Sequence, residues 1–159
     1  MEHEQTEPHV DPQCQDIAKL NGAIRSGANW FYWIAGLSLV NSVIVLLKGN
    51  LSFVVGLGAT QIVDGIAVAA SQQLGGNGGP IVQAIALAVD ACIASIFVLF
   101  GWLSNKRFAA AFVIGMIVYF LDGLIFLLVQ DWLSIGFHIF ALFCIGSGYS
   151  ALRKLAATQ

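Results

Sequence analysis

Three aspartates, Asp64, Asp90 and Asp122, stand inside the apolar stretches GATQIVDGIAV, ALAVDACIA and VYFLDGLIF. An acid near the centre of a membrane-spanning helix costs on the order of 2.5–3.5 kcal/mol on insertion scales. All seven Lys and Arg lie in the connectors or ends, so no fixed cation shares these stretches. Two chemistries suit such acids. They can bind a proton or a cation, or they can act as hydrogen-bonding glue between helices. Gln61 lies three residues before Asp64, on the same helical face, and adds an amide to it. His138 is the one titratable base in the apolar part of the chain. At 1.5 Å per residue, Asp64, Asp122 and His138 fall about 20 Å from one membrane edge and Asp90 about 16 Å, close to one level. The proton- or cation-binding candidates are therefore Asp64, Asp90, Asp122, His138 and Gln61.

Small and polar residues share the faces of these acids: Gly58 and Gly65 with Asp64, Gln83, Ala86 and Ala94 with Asp90, and Gly115, Tyr119 and Gly123 with Asp122. Ala35, Ser38, Asn41 and Ser42 make a similar stripe further upstream. Such faces point into a membrane bundle, where small residues let backbones approach.

The elements that position these residues follow from composition. The 159 residues are 58% hydrophobic and 10% charged, with a mean hydropathy of +0.81. An ordinary soluble domain carries about 25% charged residues. Five runs, roughly 30–47, 51–74, 81–104, 108–130 and 132–152, approach the ~20 residues that span a hydrocarbon core. The fold class expected is all-α, a multi-pass transmembrane helix bundle with five spans. The alternative is four spans plus a re-entrant segment at 51–74. Residues 30–155 form the bundle, and residues 1–29 form an acidic polar tail and a short amphipathic interfacial helix carrying Ile17, Leu20 and Ile24 on one face. A tandem two-helix repeat is also suggested, because FVVG precedes Asp64 and FVIG precedes Asp122, with spacings that differ by one residue.

The start, MEHEQTEPHVDPQCQ, lacks the basic region of a secretory signal, so the first apolar run is expected to remain as an anchor. Trp30, Trp33, Trp102, Trp132 and Tyr149 mark the membrane interfaces. Five crossings put five basic residues on the C-terminal side against two, and re-entry puts six against one. Either count places the C-terminus in the cytoplasm of a plasma or inner membrane.

A net charge of −2, with no basic patch, sets nucleic acid aside as a partner. The partners expected are the lipid bilayer and either further copies of the chain or a larger membrane complex. No cofactor motif is legible, and the spacing of Cys14, His3 and His9 matches no zinc pattern, so no metal ligand set is assigned. The missing HExxH and GxSxG signatures argue against an enzyme. Function is read as transport or channel-like, with the acids as a proton or cation site. The competing reading is a non-catalytic accessory or scaffold subunit.

Overall fold

The structure is a computed structural model and describes residues 12–47, 56–74 and 77–158. Among them are five helices: α1 (Pro12–Leu46), α2 (Gly58–Leu74), α3 (Gly78–Asn105), α4 (Ala109–Leu128) and α5 (Trp132–Thr158). Four of these, α1, α3, α4 and α5, are long and apolar enough to cross a membrane. The chain is thus a multi-pass, all-helical membrane bundle. Its large apolar side chains face outward as well as inward: Trp33, Ile66, Leu128 and Phe143 are exposed while Phe31, Phe112 and Tyr119 are buried. This is the distribution expected where the surrounding solvent is lipid.

Residues 12–29 do not form a separate interfacial helix. They continue without a break into α1, whose 35 residues reach about 52 Å. Gly27 does not interrupt the helix because it is a contact point. Its backbone meets that of Gly148 on α5 so closely that a Cβ on Gly27 would lie 2.7 Å from the Gly148 Cα. Ile24 and Ala28 sit in the same core cluster as Leu152 and Leu155 of α5. Ile24 and Leu20 of the amphipathic face are thus covered by protein, whereas Ile17 is exposed.

The span expected at 51–74 also needs correction. Its first five residues lie outside the described ones, and α2 contributes 17 residues beginning at Gly58. Its direction is decided by its partners on α1. Leu57 and Thr60 meet Ser38, and Asp64, Ala67 and Val68 share a cavity wall with Ser42, Val45 and Leu46. Residue numbers rise together, so α1 and α2 run parallel. Leu57, only 11 residues after Leu46, lies beside Ser38, eight residues back into α1 and so about 12 Å inside its end. The start of α2 thus lies inside the bundle, and α2 runs out toward the same end as α1. Four crossings plus a re-entrant segment describe these helix directions; the preferred five crossings do not. The parallel α1 and α2 also differ from the antiparallel α3 and α4, so the sequence repeat has no counterpart in the packing.

The turns after α3 and α4 are tight. Arg107 and Gln130 adopt left-handed conformations (φ 64° and 56°) just after α3 and α4. In each case the next N–H reaches back five residues, Phe108 to the Leu103 carbonyl and Asp131 to that of Phe126. These contacts satisfy carbonyls that the helix ends would leave orphaned. Asp131 then caps α5, accepting from the Ser134 backbone N–H at 3.2 Å and its hydroxyl at 2.5 Å. The short turns fix α3, α4 and α5 as antiparallel neighbours and set the acids of α3 and α4 against their partners.

Candidate functional site

The start of α2 inside the bundle creates an electrostatic demand. The first N–H groups of a helix have no intrahelical acceptor and carry about half a positive charge. Asp122 of α4 answers this demand: Oδ2 accepts from the Gly58 N–H at 2.7 Å and Oδ1 from the Ala59 N–H at 2.9 Å. The approach requires glycine at position 58, where a Cβ would sit 3.0 Å from Phe126 Cε2 and 3.2 Å from the Asp122 carbonyl oxygen.

His138 of α5 completes this group. Its Nδ1 lies 2.9 Å from the Ser134 carbonyl, which can only accept, so Nδ1 carries a proton. Its Nε2 lies 3.1 Å from Asp122 Oδ2, and that contact requires one further proton between the two atoms. The pair is neutral overall wherever that proton rests, as burial in a membrane favours. The imidazole stacks on Tyr119 at 4.2 Å between ring centroids, with Phe126 tilted against it at 5.1 Å. Gly123 leaves room for the ring, since a Cβ there would meet His138 Cδ2 at 3.0 Å.

A second polar closure sits beside it. Leu57 N–H donates to Ser38 Oγ, and Thr60 Oγ1 donates to the Leu57 carbonyl. The one Thr60 hydroxyl proton is thereby used, so Ser38 donates across the 2.8 Å contact to Thr60 Oγ1. All three groups are satisfied by one another. The start of α2 is thus tied to α1, α4 and α5.

Asp64 and Asp90 form a different arrangement. Asp64 lies six residues, about 9 Å, further along α2 from the helix start that Asp122 caps. It faces Asp90 of α3 and Ser42 of α1, close enough for the two carboxyls to interact electrostatically. Asp90 is fully buried, and Asp64 and Ser42 nearly so. Ser42 and Asp64 both act on the Asp90 carboxyl, yet no hydrogen bond of good geometry reaches Ser42 Oγ, Asp64 Oδ2 or either carboxyl oxygen of Asp90. Beside them is a cavity of about 10 Å³, the room of a single water, lined by Ser42, Asp64, Gln83 and apolar residues. Among the described residues no lysine or arginine pairs with Asp64, Asp90 or Asp122.

The acids expected at one level are therefore two separate pairs, Asp122 with His138 and Asp64 with Asp90. Gln61 joins neither pair. It is half-buried on the side of α2 facing Gly56 and Asn41. Ser42 and Gln83, expected only as polar companions, line the cavity itself. Sequence reasoning missed the α2 N-terminus as a functional group, although the clustered glycines of GLGA before Thr60 could have marked a helix start. Among the described residues no three His, Cys, Asp or Glu side chains converge as a metal cluster. Comparisons with protein-family models, curated proteins and solved structures find no match to this chain.

Proposed function

We propose that this integral membrane protein moves protons or small cations across its bilayer, with Asp64 and Asp90 as the ion-handling groups. One observation carries the reading: two adjacent, buried carboxyls and a hydroxyl, four of their oxygens outside good hydrogen-bond geometry, cluster beside a water-sized cavity that Asp64 and Ser42 line. Buried polar groups in folded proteins are paired, and unpaired acids at membrane depth mark ion or proton paths. The re-entrant α2 supports the same reading, because helices that start within the membrane recur at transporter ion sites.

A specific observation favours a second reading for the other pair. Asp122, His138 and the α2 N-terminus satisfy one another, as expected of acids that serve helix association in an accessory or scaffold subunit, alone or as repeated copies. In the proposed protein this group is the support and Asp64–Asp90 the site. Orientation follows from charge. Lys19, Arg25, Lys106, Arg107, Arg153 and Lys154 belong to one end of the bundle, where Arg107 reaches Asn21 at 2.8 Å. An excess of Lys and Arg marks the cytoplasmic side, which puts the C-terminal end of α5 in the cytoplasm of a plasma or inner membrane.

The test is ion flux in vesicles reconstituted with the wild type, Asp64→Asn, Asp90→Asn and Asp122→Asn. Flux of protons or alkali cations that falls to the protein-free level in the first two variants is expected. No flux in the wild type, or undiminished flux in both Asp64→Asn and Asp90→Asn, would sink the transport reading and leave the scaffold.

A further inference from the structure

We infer that Ser42, Asp64, Asp90 and Gln83 bind one small monovalent cation, stripped of most of its water, in exchange for one proton. The inference rests on the transport reading and names the ligand of that site.

The groups that face the pair come from three helices. Ser42 is supplied by α1, Asp64 by α2, and Asp90 with Gln83 by α3. Lys19 and Arg25 of α1 lie toward its far end, Arg25 about 25 Å along the helix from Ser42, so among the described residues these helices bring no base to the pair. The nearest titratable groups of α4 and α5, Asp122 and His138, are engaged with each other and with the α2 N-terminus. Two facing carboxylates repel each other strongly unless a proton or cation joins them. With room for a single ion, the states without net charge are two protons on the pair, one proton with one monovalent cation, or one divalent cation alone. Passing from the first to the second releases one proton for each cation bound and keeps the buried site neutral.

Size and ligand count choose between the cations. Calcium takes 6–8 oxygens, and magnesium retains several waters. The cavity holds about one water, and its walls beyond the polar groups are Val45, Leu46, Ala67, Val68, Ala86 and Leu87. Four unpartnered oxygens are available from Ser42, Asp64 and Asp90. Gln83 lines the cavity and donates its amide nitrogen to Ser71 at 3.4 Å, which leaves its amide oxygen available as a ligand. Ser42, Asp64 and Gln83 line this water-sized space and Asp90 adjoins Asp64 and Ser42, an oxygen-rich set that suits a bare sodium or lithium ion.

The experiment is proton release from the purified full chain in detergent and weak buffer, on addition of NaCl, LiCl, choline chloride or CaCl₂. The expected result is about one proton per chain with sodium or lithium, and none with choline. The half-saturating concentration should rise about tenfold per pH unit of acidification where the pair carries both protons. Asp64→Asn and Asp90→Asn should abolish release. Ser42→Ala, which removes one neutral ligand and keeps the fold testable, should raise the half-saturating concentration about tenfold. Folded protein that releases no proton with sodium or lithium overturns the inference, as does release unchanged in Ser42→Ala and Asp64→Asn, or two protons released by calcium. Vesicle flux separates the two levels. Flux without cation-linked release removes the cation site and keeps transport, whereas release without flux keeps the site and removes transport.

Discussion

Removing the Asp122 carboxylate should loosen α2 from the bundle by an amount that depends on what replaces it. The carboxylate accepts two backbone N–H bonds, from Gly58 at 2.7 Å and Ala59 at 2.9 Å, and meets His138 at 3.1 Å. Hydrogen bonds to a charged group are worth about 1.5–3 kcal/mol each. Asp122→Ala leaves both N–H groups buried without an acceptor, so a loss of roughly 3–6 kcal/mol is expected. Asp122→Asn retains one acceptor oxygen, and its amide nitrogen can donate to a neutral His138 Nε2. That nitrogen cannot accept from the second N–H, so the expected loss is about half, roughly 1.5–3 kcal/mol. Reversible unfolding in mixed detergent micelles, followed by helical circular dichroism, measures both. The order wild type, then Asn, then Ala is the signature; should Asp122→Ala prove too unstable to purify, Asp122→Asn still carries the comparison. If both variants lie within about 0.5 kcal/mol of the wild type, a surface-like effect, the reasoning about a helix start held by Asp122 is refuted.

Three further outcomes are expected. Ser134 hydrogen bonds, from the side chain first and the backbone second, hold the Asp131 carboxyl below the usual aspartate range. The stabilisation is therefore complete above the unfolded value of about 3.9 and is lost as pH falls through the lower folded value. Asp131→Asn should flatten that acid limb in a pH series of unfolding midpoints, and Asp131→Ala should cost about 1 kcal/mol as a lost cap. Gly27→Ala forces the α1 and α5 backbones apart, with a Cβ 2.7 Å from the Gly148 Cα, and should cost about 1–3 kcal/mol in the same unfolding assay. Gly36→Ala, where a Cβ meets nothing within 4 Å, should be neutral or stabilising by about 0.5–1 kcal/mol. In single-cysteine variants, Leu47→Cys and Asn77→Cys should react with an impermeant thiol reagent from one side of the membrane, and the native Cys14 and Asn105→Cys from the other. Labelling of positions 47 and 77 from opposite sides would restore a fifth crossing.

The helical class and most span positions were legible because they depend on apolar run length, which a bilayer imposes directly. The buried acids were legible for the same reason: Asp64, Asp90 and Asp122 interrupt runs that carry no other charge. Their grouping was not. Counting depth along each helix assumes that every run crosses the membrane, whereas α2 runs parallel to α1, which reverses the bookkeeping for Asp64. Asp64 thereby meets Asp90, and Asp122 meets a helix terminus that only the clustered glycines of GLGA hint at. The continuity of α1 was hidden similarly. Gly27 and the polar residues around it resemble a boundary, and only the facing Gly148, 121 positions later, makes that glycine a packing site.

The central claim is that Asp64–Asp90 is an open ion site and Asp122–His138 a closed support. Carbodiimide modification of the folded protein at neutral pH, located by peptide mass spectrometry with and without sodium or lithium, tests it most directly. Modification at Asp64 or Asp90 that alkali cations slow, with Asp122 unmodified, is the predicted result. Modification at Asp122 while Asp64 and Asp90 remain untouched would contradict the account.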